Sequence, residues 1–187
     1  MNDLEKHIKR WSSCKLCNLH KTASKHALYD TEPEGASIVD ILFVGEGPGR
    51  GEDMLGKPFV GASGKRLRDC IEKAITYLHA DKKPVYGFTN LVACRPCDSK
   101  NGSNRVPTEV EVSQCCARLM QIIMILNPRL IIAVGNEAHF ALRTRGVPHG
   151  RVTHPSYIVR HGHELDQSYI DSVFCEIKNV KSRLEVK

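Results

Sequence analysis

The sequence predicts an α/β fold, a three-layer α/β/α sandwich around a short, mainly parallel central sheet. Three observations predict it. Continuous apolar runs recur at 38–44, 85–93 and 129–135, too uniformly apolar for a sheet with one wet face. Stretches with apolar residues at helical spacing separate them, the alternation of a sheet covered on both sides. The chain's most unusual segments, 45–64, 90–105 and 154–160, all begin where an apolar run ends, and such sheets carry their ligand sites at the carboxyl ends of the strands.

Each element has its own signal. Residues 3–11 form a short amphipathic helix that runs into Cys14-Lys15-Leu16-Cys17. The run at 38–44 stops at Gly45 and reads as a buried strand. A Gly/Pro-rich loop occupies 45–64, and Leu67, Ile71, Ala74, Ile75 and Leu78 then mark a helix over 65–78. The second strand, 85–93, is stopped by Arg95-Pro96, and a polar loop follows to Pro107. Thr108 is the N-cap of a helix reaching Leu126, with Glu109 and Glu111 in its first turn. A third strand (129–135), a helix (136–143), a short fourth strand leading into His154-Pro155-Ser156, and a helix over 164–181 complete one domain spanning 1–187.

Composition bounds the function. At 187 residues, with 41% hydrophobic and 26% charged residues, the chain can bury an ordinary core. No apolar run approaches the ~20 residues of a membrane span, and MNDLEKHIKRW has no secretory apolar core. A soluble, cytoplasmic, monomeric protein is expected. The net charge of +6 suits a polyanion without requiring one. Its distribution says more, because many Lys and Arg residues lie in or beside the Gly/Pro-rich loops; a phosphate-facing rim and a plain solvated surface both fit. Eight cysteines in a reducing compartment, some at metal-type spacing, point to a metal site rather than disulfides.

Two phosphate-loop patterns fail on chemistry. Gly51 to Lys57 matches G-x-x-x-x-G-K, but Pro58 stands where a magnesium-binding hydroxyl belongs, and Glu52 and Asp53 would repel phosphate. Gly45-Glu46-Gly47 begins like a dinucleotide fingerprint, but Arg50 replaces its last glycine. What remains is Gly45-Glu46-Gly47-Pro48-Gly49-Arg50-Gly51-Glu52-Asp53, then Gly56-Lys57-Pro58-Phe59-Val60-Gly61 and Gly64. With Thr89 to Pro96, Asn104-Arg105-x-Pro107 through Cys115, and His154 to Arg160, this series resembles the family 4, iron–sulfur uracil-DNA glycosylases in the order of its motifs over residues 11–160.

The resemblance implies hydrolysis of the N-glycosidic bond of deoxyuridine in DNA, releasing uracil and leaving an abasic site. It implies a [4Fe-4S] cluster on Cys14, Cys17, Cys94 and Cys115, a chemically sound set of four thiolates. Cys94-Arg95-Pro96-Cys97 is a second C-x-x-C, so spacing alone also permits a structural zinc. Phe59 is implied as the aromatic under the flipped base and Asn90 as the reader of its edge, roles a flipped base needs. A core phenylalanine and a strand-end turn former are the plainer readings. His154 would stabilise charge on the leaving base, Glu46 would position the water, and Glu52 would exclude a 5-methyl group. Either acid could instead brace the loop. Gly47 and Asn104 would contact the base; Arg105, Ile158, Val159 and Arg160 would contact the DNA, the two apolar residues as wedges. The stretch from Cys94 to Asn104 is longer than the family's usual spacing, which marks a modified loop. An iron–sulfur DNA-binding module without catalysis, and a glycosylase with another base preference, are the alternatives.

Overall fold

The computed structural model describes residues 1–79, 82–160 and 167–184, apart from the side chains of Val159 and of residues 179–184. Five strands form one sheet in the order β1-β3-β2-β4-β5: β1 Asp30–Glu32, β2 Ile41–Gly45, β3 Tyr86–Asn90, β4 Leu130–Val134 and β5 Gly150–Val152. All neighbours pair in parallel except β1, which runs antiparallel along the edge of β3. Every residue of β2, β3 and β4 is buried, as the uniform apolar runs require.

The helices are α1 Asp3–Trp11, α2 Arg50–Leu55, α3 Ala62–Thr76, α4 Glu109–Leu126, α5 Asn136–Thr144, α6 Pro155–Arg160 and α7 Gln167–Leu184. Alternation along β2 assigns the two outer layers. Ile41 and Phe43 pack with Leu67, Ile71 and Ala74 of α3 and Val173 and Ile177 of α7. Leu42 and Val44 face Leu119 and Ile122 of α4, Ala138 and Leu142 of α5, and Leu4 of α1. The three-layer α/β/α arrangement is thus present, with each apolar side chain of the central strand worth about 1.5–3 kcal/mol of burial.

The pairing register matters most for the site. Gly45 lies opposite Asn90, so β2 and β3 end at the same level. The chains stay together past the ladder, with the Leu91 amide donating to the Gly45 carbonyl (2.8 Å) and Val92 to Glu46 (3.2 Å). Both glycine-rich and polar loops therefore leave the sheet side by side.

Several short elements depart from the expected list. The first strand begins at Ile41 rather than 38, because Ile38 is exposed and Asp40 turns back to accept from the Val85 amide. β1 (Asp-Thr-Glu) carries no apolar alternation, and α2 and α6 lie inside segments read as loops. α6 starts on Pro155, a residue preorganised for a first helical position. The C-terminal helix is described from Gln167; positions 164–166 of its expected span lie outside the described residues.

Candidate active site

A cavity of about 660 Å³ opens at the carboxyl ends of the strands. Its lining includes Glu46, Gly47, Glu52, Phe59, Asn90, Asn104, Arg105, His154 and Arg160. Nine expected site residues from four separated segments therefore share one pocket.

Close packing builds its floor. A β-carbon at Gly45 would lie 2.5 Å from the Asn90 Oδ1 and 2.6 Å from the Phe59 ring, so only glycine lets these two side chains meet there. Phe59 has φ +55°, a conformation rare outside glycine that costs on the order of 1–3 kcal/mol. Its neighbours impose it. A side chain on Gly64 would overlap the Phe59 backbone. Arg68 of α3 donates from Nε to the Phe59 carbonyl (3.0 Å) and from Nη2 to both the Pro58 carbonyl (3.2 Å) and the Asp30 carboxylate (2.5 Å). The same guanidinium lies 4.1 Å over the Phe88 ring, and Phe88 backs Phe59 at 5.1 Å between centroids. The loop and its aromatic are thus clamped to the sheet.

The two acids divide clearly. Glu52 accepts the Gly49 amide on one oxygen (3.1 Å) and the Gly61 amide on the other (2.8 Å), tying the loop's two limbs together. The Glu46 carboxylate makes no hydrogen bond or ion pair among the described residues. Burial pushes its pKa above the ordinary value, with Glu137 adding to the rise and Arg160 opposing it. Of the two alternatives left open by the sequence, Glu52 takes the bracing part and Glu46 is chemically free.

His154 is held by its own turn. Its Nδ1 accepts the Ser156 amide (3.2 Å) and lies 2.7 Å from the Ser156 hydroxyl. An Nδ1 that accepts an amide leaves the ring proton on Nε2. Burial lowers the His154 pKa, Arg160 lowers it further and Glu52 opposes, so the ring is neutral near pH 7. The pocket therefore holds a neutral imidazole whose remaining nitrogen is a donor.

The longer loop after Cys94 is ordered around one buried side chain. Arg95 donates to the Asn104 Oδ1 (2.6 Å), to the Lys100 carbonyl (3.0 Å) and to the Gly102 carbonyl. This seats Asn104 at the cavity rim. Arg105 lines the cavity too, but its fork is committed to Glu111 (2.8 Å on both nitrogens) and Asp98 (2.8 Å). Ile158 packs against the core on the α3–α7 side rather than standing free. The side chain of Val159, the other expected wedge, lies outside the described residues.

Cys14, Cys17, Cys94 and Cys115 line a second cavity walled by Trp11, Leu19, Val92 and Ala93. His26 lies 3.1 Å from the Cys14 carbonyl and His20 2.5 Å from that of Cys17, which fixes the C-x-x-C turn. Burial, then the charges of Cys115, Cys17 and Cys14, push the Cys94 thiol up to about 12. The four sulfurs thus feel one another as neighbours. Cys97 is outside this set, with its thiol directed at the Arg95 carbonyl (3.7 Å). Among the described residues no group of three or more His, Cys, Asp or Glu side chains is arranged to hold a metal ion. Four thiols in an apolar wall are nonetheless the donor set an iron–sulfur cluster takes.

The sequence profile of the Uracil DNA glycosylase superfamily matches residues 32–178, most of the chain and both loops of the pocket. The chain belongs to this superfamily. It is 35% identical over 138 residues to a type-4 uracil-DNA glycosylase of Archaeoglobus fulgidus, covering 74% of this chain and 62% of that protein. It is 40% identical over 133 residues to the type-4 enzyme of Pyrobaculum aerophilum (71% and 61%) and 36% identical over 129 residues to that of Thermotoga maritima (69% and 60%). The chain spans about three fifths of the length of these relatives.

In this member of the uracil DNA glycosylase superfamily, sequence reasoning missed Arg68, Arg95 and Ser156. Ser156 stood beside His154 and could have been found from its i+2 spacing. Arg68 and Arg95 act through backbone carbonyls brought together by the fold, and nothing in their local sequence says so.

Proposed function

We propose that this chain hydrolyses the N1–C1′ bond of deoxyuridine in DNA, releasing uracil and leaving an abasic site. The observation that carries this reading is the convergence of an uncommitted acid (Glu46), an amide (Asn90), an aromatic (Phe59) and a neutral histidine (His154) on one cavity. The type-4 uracil-DNA glycosylases it resembles are named for the same activity.

The nucleotide leaves the duplex and its base enters beside Phe59. Unpairing costs a few kcal/mol, and one aromatic stack returns about 1–3 kcal/mol. The Asn90 amide can accept from uracil N3–H and donate to O4 at once, a pairing that cytosine reverses. As the N1–C1′ bond breaks, its electron pair moves into the uracil ring and negative charge grows on O2. His154 supplies an Nε2–H donor for that oxygen without delivering a proton, which is preorganised electrostatic stabilisation. The Glu46 carboxylate faces the electron-poor sugar, orients a water towards C1′ and takes its proton as the oxygen bonds.

Cys14, Cys17, Cys94 and Cys115 would hold a [4Fe-4S] cluster, which would cross-link the N-terminal segment to the segment after β3 and to α4 and carry no step of the hydrolysis. The position of Cys97, outside the four-sulfur cavity, supports this set over a zinc site built from two C-x-x-C pairs.

Oligonucleotides bearing single uracil, hypoxanthine, xanthine or thymine residues, incubated with anaerobically purified protein and cleaved with alkali, test the reading. Cleavage at uracil, in protein carrying about four irons per chain, is expected. Intact uracil strands overturn the activity, and stoichiometric zinc without iron overturns the cofactor.

A further inference from the structure

Arg118 is the largest fully buried side chain, 1% exposed on α4, and it forms no ion pair with a carboxylate among the described residues. An isolated guanidinium in a protein interior is costly unless compensated. Its partners fall in two groups. Nε points at the Cys115 sulfur (3.3 Å), and Arg118 lines the four-cysteine cavity. The other nitrogens reach the end of β3 and the segment beside it: Thr89 Oγ1 (2.8 Å), the Leu28 carbonyl (3.3 Å), the Leu91 carbonyl (3.2 Å) and the carbonyl of Asn90 itself.

We propose that Arg118 is a positioning residue that couples the four-cysteine site to the base pocket. The inference rests on the function and cofactor proposed above. Cysteines that bind metal are thiolates, and thiolates supply the negative charge that the buried guanidinium otherwise lacks. Held on that side, Arg118 uses its remaining donors to fix the backbone of Asn90 and Leu91. Asn90 makes no side-chain hydrogen bond among the described residues, so its amide is aimed by its backbone and by packing against Gly45 and Phe59. Loading of the cysteines thus reaches uracil recognition through one side chain, without the cluster meeting the base.

Two substitutions separate the two halves of the role. Arg118→Met keeps much of the length but loses charge and fork; Arg118→Lys keeps the charge but cannot donate to several carbonyls at once. Purified anaerobically, each protein is challenged with an iron chelator while its cluster absorption is followed. Binding of free uracil, and kcat and KM on a uracil oligonucleotide, are measured on the iron-loaded fraction. Arg118→Met should lose iron at least tenfold faster than wild type. Its iron-loaded fraction should bind uracil about tenfold more weakly, with KM moving more than kcat. Arg118→Lys should recover iron retention but not uracil affinity, a split that a purely structural residue would not give. Wild-type iron retention in Arg118→Met, or wild-type uracil affinity in either variant, overturns the proposal. If Arg118→Met does not fold, Arg118→Lys alone decides through its uracil affinity. The chelator measurement needs no DNA, so a wild type that releases no uracil marks failure of the functional reading separately. A wild type without iron overturns both the cofactor and this coupling.

Discussion

Glu46 and Glu52 carry the same charge into the same cavity and differ in what their oxygens already hold. Both oxygens of Glu52 are spent on the Gly49 and Gly61 amides, so its loss is a loss of loop structure. Leaving these half-buried amides unpaired costs up to about 1–3 kcal/mol, the penalty for a fully buried group. Glu46 is instead a half-buried carboxylate without a hydrogen-bond partner among the described residues, and its partial burial, with Glu137 nearby, raises its pKa. A carboxyl group whose folded pKa lies above its unfolded one costs stability once pH exceeds the unfolded value. Glu46→Gln should therefore raise the thermal midpoint slightly at pH 7, while the single-turnover rate of uracil release falls by about 10²–10⁴-fold. Glu52→Gln should do the reverse, lowering the midpoint first and the rate less. The pH profile gives a second readout. The lowered pKa of His154 keeps it neutral as pH drops through 6.5, so no loss is expected there. The acid limb belongs to Glu46, begins above its ordinary 4.5, and should vanish in Glu46→Gln. Equal rate losses in the two variants would contradict this division.

Helix α1 shows what an element contributes when it is tied down from one side. It is capped by Asn2, whose side chain accepts the Glu5 amide (2.8 Å), and it docks on α4 through His7 and Trp11. Trp11 donates to the Gln121 Oε1 (2.7 Å), and the His7 Nδ1 lies 3.1 Å from the same oxygen. The His7 Nε2 is buried with no partner among the described residues, and burial lowers this pKa to about 4. A histidine with a depressed folded pKa contributes stability above its unfolded pKa of 6.5 and loses it as pH falls towards 4. Between pH 7 and 5 that loss is about 2 kcal/mol. Urea unfolding at the two pH values should show it in wild type and show much less in His7→Phe; equal pH dependence would assign the acid lability elsewhere. The same scale explains what could be read from sequence. β2, β3 and β4 were legible because strands buried on both faces are apolar throughout. β1 was not, because Asp30 and Glu32 are held by antiparallel pairing to β3 rather than by burial. α2 was hidden by the glycines that cap it, Gly49 and Gly56. The four cysteines and the pocket residues were legible as spaced motifs. The arginines that position them (Arg68 at Phe59, Arg95 at Asn104, Arg118 at Asn90) reach carbonyls or amides distant in sequence or defined only by the folded loop. No local pattern encodes such a partner.

Across the whole molecule, the net charge of +6 overstates the charge that is free to meet a polyanion. A cation already paired with a carboxylate or buried against carbonyls releases no counterion when a phosphate arrives. Arg105 is saturated by Glu111 and Asp98, Arg68 by Asp30 and two carbonyls, and Arg95 and Arg118 are buried. Among the cations that line the cavity this leaves exposed Arg50, at the start of α2, and Arg160, at the end of α6. Among the described residues Arg50 and Arg160 donate to backbone carbonyls alone, of Asn101 and Ser156, which leaves their charge for a phosphate. Two such contacts on duplex DNA give a slope of log K against log salt of about −1.8. The steeper slope implied by counting every loop arginine would need more contacts than these. Arg160→Ala should reduce the slope by about one and weaken binding to all sequences alike. Arg105→Ala, which removes an equal formal charge from the same rim, should leave the slope nearly unchanged and instead loosen the Asp98–Glu111 loop. The affinity of both variants and wild type for one duplex, measured at several salt concentrations, decides the point. A unit change in slope for Arg105→Ala would show that its carboxylate partners release it to the DNA, and that formal charge, not free charge, governs binding.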